Sequence, residues 1–189
     1  MPGKKGFEGK MGKAVDKLPR GAIVLFTVDF KDYDEANMVL LKHMIRRKKA
    51  HGIYISINKP YANIVPILEK NGVDTSKLFF IDCITKSAGG MAERKENCLF
   101  ISSPTNLTDL GIALDDAIES LGKEKFIFLD SVSTLLIYHD QNTVLHFSHF
   151  LTSRARVKEF YGIFITVESE ADARLVKTLS QFCDKVVKL

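Results

Sequence analysis

Short apolar runs alternate with helix-patterned segments along most of this chain, and no other feature of the sequence narrows the fold as far. Apolar runs occur at Ala22–Val28, Ile53–Ile57, Leu78–Asp82, Cys98–Ser102, Phe126–Asp130, Ile163–Val167 and Lys185–Leu189. Between them lie amphipathic stretches from Asp32, Pro60–Asn71, Leu107–Leu121, Asn142–Glu159 and Ala171–Phe182. Runs this short and apolar, each followed by a helix, predict parallel strands buried on both faces and linked by helical crossovers. The predicted fold is a three-layer α/β domain with a mostly parallel central sheet.

At 189 residues the chain has room for one domain with a sizeable core. Residues 1–17 are rich in Gly and Lys (Lys4, Lys5, Lys10, Lys13) and read as a flexible basic arm, leaving 18–189 as the domain. The net charge of +4 comes mainly from that arm and from Arg46, Arg47, Lys48 and Lys49; without those residues the remainder is net acidic. The helix starting at Asp32, with Glu35 as a capping-box partner, is expected to carry the second basic run in its last turns and to stop at Gly52. Lys10, Lys13, Arg46, Arg47, Lys48 and Lys49 are the candidate nucleic-acid contacts, expected to be weak because such a run also serves a solvated helix end. Cys83, Cys98 and Cys183 form no CxxC pair, which argues against a zinc or disulfide framework. With neither an apolar leader nor a run of membrane-spanning length, a cytoplasmic location is expected and no membrane partner.

Where the first strand meets its helix, a nucleotide-binding α/β protein would place a glycine-rich phosphate loop. Between Val28 and Asn37 there is no glycine, and Lys31 faces four carboxylates: Asp29, Asp32, Asp34 and Glu35. Such a loop would repel a triphosphate instead of wrapping it. Three acids, Asp29, Asp130 and Glu168, follow or end strands at one sheet edge, where α/β proteins place their sites, and are a candidate divalent-cation set. His139-Asp140 and His146-x-x-His149 are the only histidine grouping, and the apolar residues around them favour packing over metal. Most phenylalanines lie within apolar runs and read as core; Phe7 and Phe30 are the exceptions whose exposure is to be checked. Residues 85–97, with Gly89-Gly90, read as the most mobile loop.

The ordered set of stretches Leu18-Pro-Arg-Gly-Ala-Ile-Val-Leu25, Tyr54-Ile-Ser-Ile57, Lys125-Phe-Ile-Phe-Leu-Asp-Ser131 and Tyr161-Gly-Ile-Phe-Ile-Thr-Val167 resembles the RecA/KaiC-like branch of the P-loop ATPases. The resemblance implies that fold over residues 18–189 and gives Asp130-Ser131 the Walker B place, where the acid would hold magnesium. It also exposes two departures. Thr27-Val-Asp-Phe-Lys-Asp-Tyr-Asp34 stands where the family has its Walker A loop, and Asn58-Lys59 stands where it has the water-activating glutamate. The expectation is a pseudo-ATPase: a catalytically inactive relative with no required cofactor, acting as a binding or regulatory module. The alternatives are a protein that binds ATP or Mg2+ at the sheet edge and a nucleic-acid-associated subunit. RecA-like domains assemble side by side, so a protein partner or self-association is expected, with the helix at Asn142–Glu159 as the nominated surface.

Overall fold

The computed structural model describes residues 4–167 and 173–189. Seven parallel strands form one sheet in the order β4-β3-β2-β5-β6-β1-β7. They are β1 Ile23–Val28, β2 His51–Ser56, β3 Leu78–Asp82, β4 Cys98–Phe100, β5 Lys125–Asp130, β6 Tyr161–Val167 and β7 Lys185–Lys188. The helices are α1 Lys4–Asp16, α2 Tyr33–Arg46, α3 Tyr61–Lys70, α4 Leu107–Ser120, α5 Val132–Leu135, α6 Gln141–Val157 and α7 Ala173–Leu179.

Alternate residues of each strand feed two cores. On one face Phe26, Tyr54, Phe80, Phe126 and Phe128 meet Met11, Leu40, Leu41, Met44, Ile64 and Leu68 from α1, α2 and α3. On the other, Ile23, Leu25, Ile53, Ile55, Ile127 and Leu129 meet Leu110, Leu114, Val144, Leu151, Leu175 and Leu179 from α4, α6 and α7. The three-layer α/β architecture follows from that two-sided burial, as the apolar runs predict. The strand ending at Val167 lies between β5 and β1, so the ends of these three strands are adjacent.

Four local expectations are corrected. Residues 4–16 are helix α1, not a flexible arm, because Met11, Ala14 and Val15 recur at helical spacing and are buried. Gly12 admits the close approach of α2, where a β-carbon would sit 3.1 Å from the His43 ring. The Asp16 carboxylate meets His43 Nε2 at 2.6 Å, and Lys48 Nζ donates to the Asp16 carbonyl at 2.8 Å, closing the end of α1.

Helix α2 ends at Arg46, well before Gly52, with Lys49 at φ 53° turning the chain out. Gly52 belongs to β2 instead, where a β-carbon would lie 2.4 Å from the Phe126 ring. At the other end of α2, Asp32 makes no side-chain cap, and Asp29 caps a preceding 3₁₀ turn over Phe30–Asp32. Helix α5 escaped the sequence reading because four residues make a single turn, too short for periodicity to register.

Candidate functional site: the carboxyl-terminal edge of the central strands

Asp130 ends β5, and its side chain is buried beneath the start of α2. Three donors converge on it. Tyr33 and Asn37, one helical turn apart on α2, donate to Oδ1, the Asn37 Nδ2 bond being 3.2 Å long. Tyr54 on β2 donates to Oδ2. With these three donors beside it, burial pushes the Asp130 carboxyl up to about 7. The Asn37 Oδ1 atom is buried without a hydrogen-bond partner. Burial and the negative charge of Asp34 raise the Tyr54 phenol, so it remains a donor.

The network continues across the edge. Asn58, after β2, donates from Nδ2 to the Tyr33 hydroxyl at 3.2 Å and accepts from Thr134 Oγ1 at 3.0 Å. Thr134 in turn lies 2.9 Å from Ser131 Oγ, which caps α5 by accepting the Thr134 N–H. Ser133 Oγ accepts from the Val167 N–H at 3.3 Å. The connections after β1, β2 and β5 and the last residue of β6 are thus sewn together by polar side chains at the carboxyl-terminal edge of the sheet. The Asp130-Ser131 peptide bond is cis.

Asp29 has a different environment. It is exposed, its Oδ2 pairs with Lys31 Nζ at 3.0 Å, and Oδ1 accepts the Lys31 N–H at 3.2 Å. The Lys31 hydrogen bonds hold its carboxyl below the usual range and raise the Lys31 ammonium. Phe30 beside it is 81% exposed, and the Phe7 side chain lies outside the described residues. Glu168 also lies outside them. Asp29 and Asp130, the two described members of the candidate cation set, therefore hold separate partners. Among the described residues no three His, Cys, Asp or Glu side chains converge on a metal site.

Asp82 at the end of β3 is a buried acid whose role the sequence reading missed. Its oxygens accept from the Tyr61 N–H at 2.7 Å, Ile84 N–H at 2.7 Å, Thr85 N–H at 2.8 Å and Thr85 Oγ1 at 2.5 Å. It ties the start of α3 to the turn after β3, and the spacing Asp82-x-x-Thr85 was the legible signal. Residues 85–97 leave that anchored turn and are largely exposed. Among the histidines, His139 Nε2 meets the Pro104 carbonyl at 2.9 Å, His146 is exposed, and His149 rests edge-on against Phe182 at 5.0 Å. Asp140 caps α6, and the hydrogen bonds it accepts from Thr143 Oγ1 at 2.6 Å and from the Thr143 N–H at 3.1 Å hold its carboxyl below the usual range. Burial raises the thiol of Cys83 and pushes Cys98 and Cys183 up to about 12, out of reach of easy thiolate chemistry.

The basic residues come together because α1 is folded. Gly9, Gly12 and Lys13 of α1 line a hollow with His43 and Arg47, which also contains Glu8 and Asp16. Several candidate cations are engaged in the protein itself. Lys10 donates to the Lys188 carbonyl, Arg46 donates to the Gly72 carbonyl at 2.7 Å, and Lys48 lies 4.9 Å from the Tyr161 ring. Lys49 is exposed in the turn after α2. Among the described residues no helix is long and apolar enough to cross a membrane.

The three-layer α/β fold is shared with a KaiC-like protein of known structure. It superposes on a KaiC-like protein, PH0186, from Pyrococcus horikoshii OT3 with a TM-score of 0.66 at 12% identity, covering 100% of this chain and 77% of the other. An uncharacterized Pyrococcus horikoshii protein, PH0321, solved in complex with an unknown peptide, gives a TM-score of 0.66 at 17% identity, covering 95% of this chain and 82% of that one. At these identities the likeness is one of fold. The chain belongs to DUF7504, a family of unknown function whose profile matches residues 32–189. No curated protein matches it.

Proposed function

We propose that this chain is a RecA/KaiC-like domain that does not hydrolyse nucleotide and works as a binding or regulatory module. The observation that carries this reading is the closure of Asp130. The acid in the magnesium-holding place is buried and bonded to Tyr33, Asn37 and Tyr54. Two of those donors come from the first turns of α2, the helix whose N-terminus would face the phosphates. Where a phosphate loop would close, the chain has a 3₁₀ turn carrying the Asp29–Lys31 pair. Asn58, in the place of the water-activating glutamate, binds Tyr33 and Thr134 through its amide and cannot take up a proton from water. The peptide found with the Pyrococcus horikoshii relative supports a binding role for a domain of this shape.

Steady-state hydrolysis of ATP with Mg2+ by the purified protein tests the reading. The expected rate equals that of the Asp130→Asn variant and of buffer. Turnover that Asp130→Asn abolishes would overturn it.

A further inference from the structure

On the sheet face away from α1, helices α4 and α6 are neighbours and share an open apolar groove of about 440 Å³. Gly111, Phe147 and Phe150 line it, with Ile112 at its border. A second hollow of about 290 Å³ lies on the other flank of α4, between Phe100, Ile101 and Ala113. Ile112 borders both hollows and is 58% exposed, an apolar knob standing between two apolar depressions. A knob beside its own hole is the form of a self-complementary surface.

The charges match this form. Helix α4 carries Asp109, Asp115, Asp116 and Glu119 with no Lys or Arg, whereas α6 carries His146, His149, Arg154 and Arg156 with no acid. Within one molecule the two sets meet where Arg154 Nη2 donates to Asp115 Oδ2 at 2.8 Å, whereas Arg156 turns away from the groove to Asp184 and the Phe182 carbonyl. The Arg154 guanidinium rests 5.2 Å from the Phe150 ring. Asp115 Oδ1 is buried at the groove wall without a hydrogen-bond partner, an acceptor awaiting a donor.

We propose that a second copy of this chain docks here about a two-fold axis, with α4 of each copy over α6 of the other. That arrangement brings Asp116 and Glu119 of each copy toward Arg154 of the other and seats each Ile112 in a hollow of the opposite copy. Stacking α4 on α4 would oppose like charges. Helices of 14 and 17 residues lying side by side offer a projected face on the order of 500 Å², at the small end of specific interfaces, the size class of weak and transient association. The proposal stands independently of whether nucleotide binds at the sheet edge.

Sedimentation velocity of the full chain from about 1 to 100 μM, a range chosen to bracket micromolar association, reads the dimer directly. Ile112→Glu should raise the dissociation constant at least about 30-fold, as losing one buried hot-spot side chain does, with circular dichroism and melting temperature unchanged. The double variant Asp116→Lys/Glu119→Lys should also weaken the dimer, because it places cations against α6. Ile67→Glu, on the α3 side of the sheet, should leave the dimer intact. A wild-type protein that stays monomeric throughout overturns the proposal and leaves the groove to a different partner. A dimer that survives Ile112→Glu, or one that Ile67→Glu dissociates, overturns it as well.

Discussion

Tyr54 donates its phenolic hydroxyl to Asp130 Oδ2 across adjacent parallel strands, two residues from the position where β2 and β5 pair Ser56 with Asp130. The ring that delivers this hydroxyl is fixed by Phe128, stacked at 5.3 Å, and Phe80 at 5.6 Å. The aromatic core thus dictates where the hydroxyl points, and the acid at the sheet edge is held from below as well as from α2.

Stability should carry the signature of this acid. Its carboxyl moves from 3.8 to about 7 on folding, so the folded state binds a proton that the unfolded state has released between those values. Stability from this group is complete below pH 4 and is lost as pH rises through 7. Urea unfolding at pH 5, 6, 7 and 8 should show wild type losing a few kcal/mol over this interval from Asp130, and Asp130→Asn should be flatter. Equal slopes for the two proteins would exclude a raised Asp130.

Tyr54→Phe removes a donor from a buried carboxyl and should cost roughly 1–3 kcal/mol. The cost should grow between pH 6 and pH 8, because the hydroxyl stabilises the charged form more than the neutral one. A pH-independent loss would mean that only packing had been disturbed.

Helix α1 should behave as part of the domain. Met11 is fully buried against the α2 side of the sheet, so Met11→Ala should lower unfolding free energy by about 2–5 kcal/mol. Denaturant titration measures this, and removal of residues 1–17 should do at least as much damage. An unchanged midpoint would return this segment to the status of a dispensable arm.

Gly52→Ala tests the reassignment of that glycine from helix stop to strand. A β-carbon there would meet the Phe126 ring at 2.4 Å and the Leu78 side chain at 2.6 Å. The overpacking should cost about 1–3 kcal/mol in thermal or urea unfolding.

The strands and long helices were legible because each carries its own period: Phe126 to Leu129 is a buried run, and Leu110, Leu114 and Ala117 recur at helical spacing. Helix α1 was hidden behind composition. Gly3, Gly6, Gly9, Gly12 and four lysines suggested a solvated arm, although Met11, Ala14, Val15 and Leu18 already formed a stripe. The site was legible only as a position. Asp130 and Asn58 could be placed on one edge by order of strands, but the donors that close Asp130 could not be assigned. Tyr33 and Tyr54 lie 97 and 76 residues away in sequence, and their convergence depends on strand order and on the tilt of α2. Asn37 reads locally as an unremarkable helical residue, and its role appears only when α2 is set over β5.

Calorimetric titration of the wild-type chain with ATP in millimolar Mg2+ tests the closure of the sheet edge most directly. The expected result is no saturable heat and no rise in melting temperature, since a ligand at 100 times its dissociation constant would stabilise the protein by about 2.7 kcal/mol. A saturable, Mg2+-dependent isotherm with a micromolar dissociation constant, lost in Asp130→Asn, would contradict it.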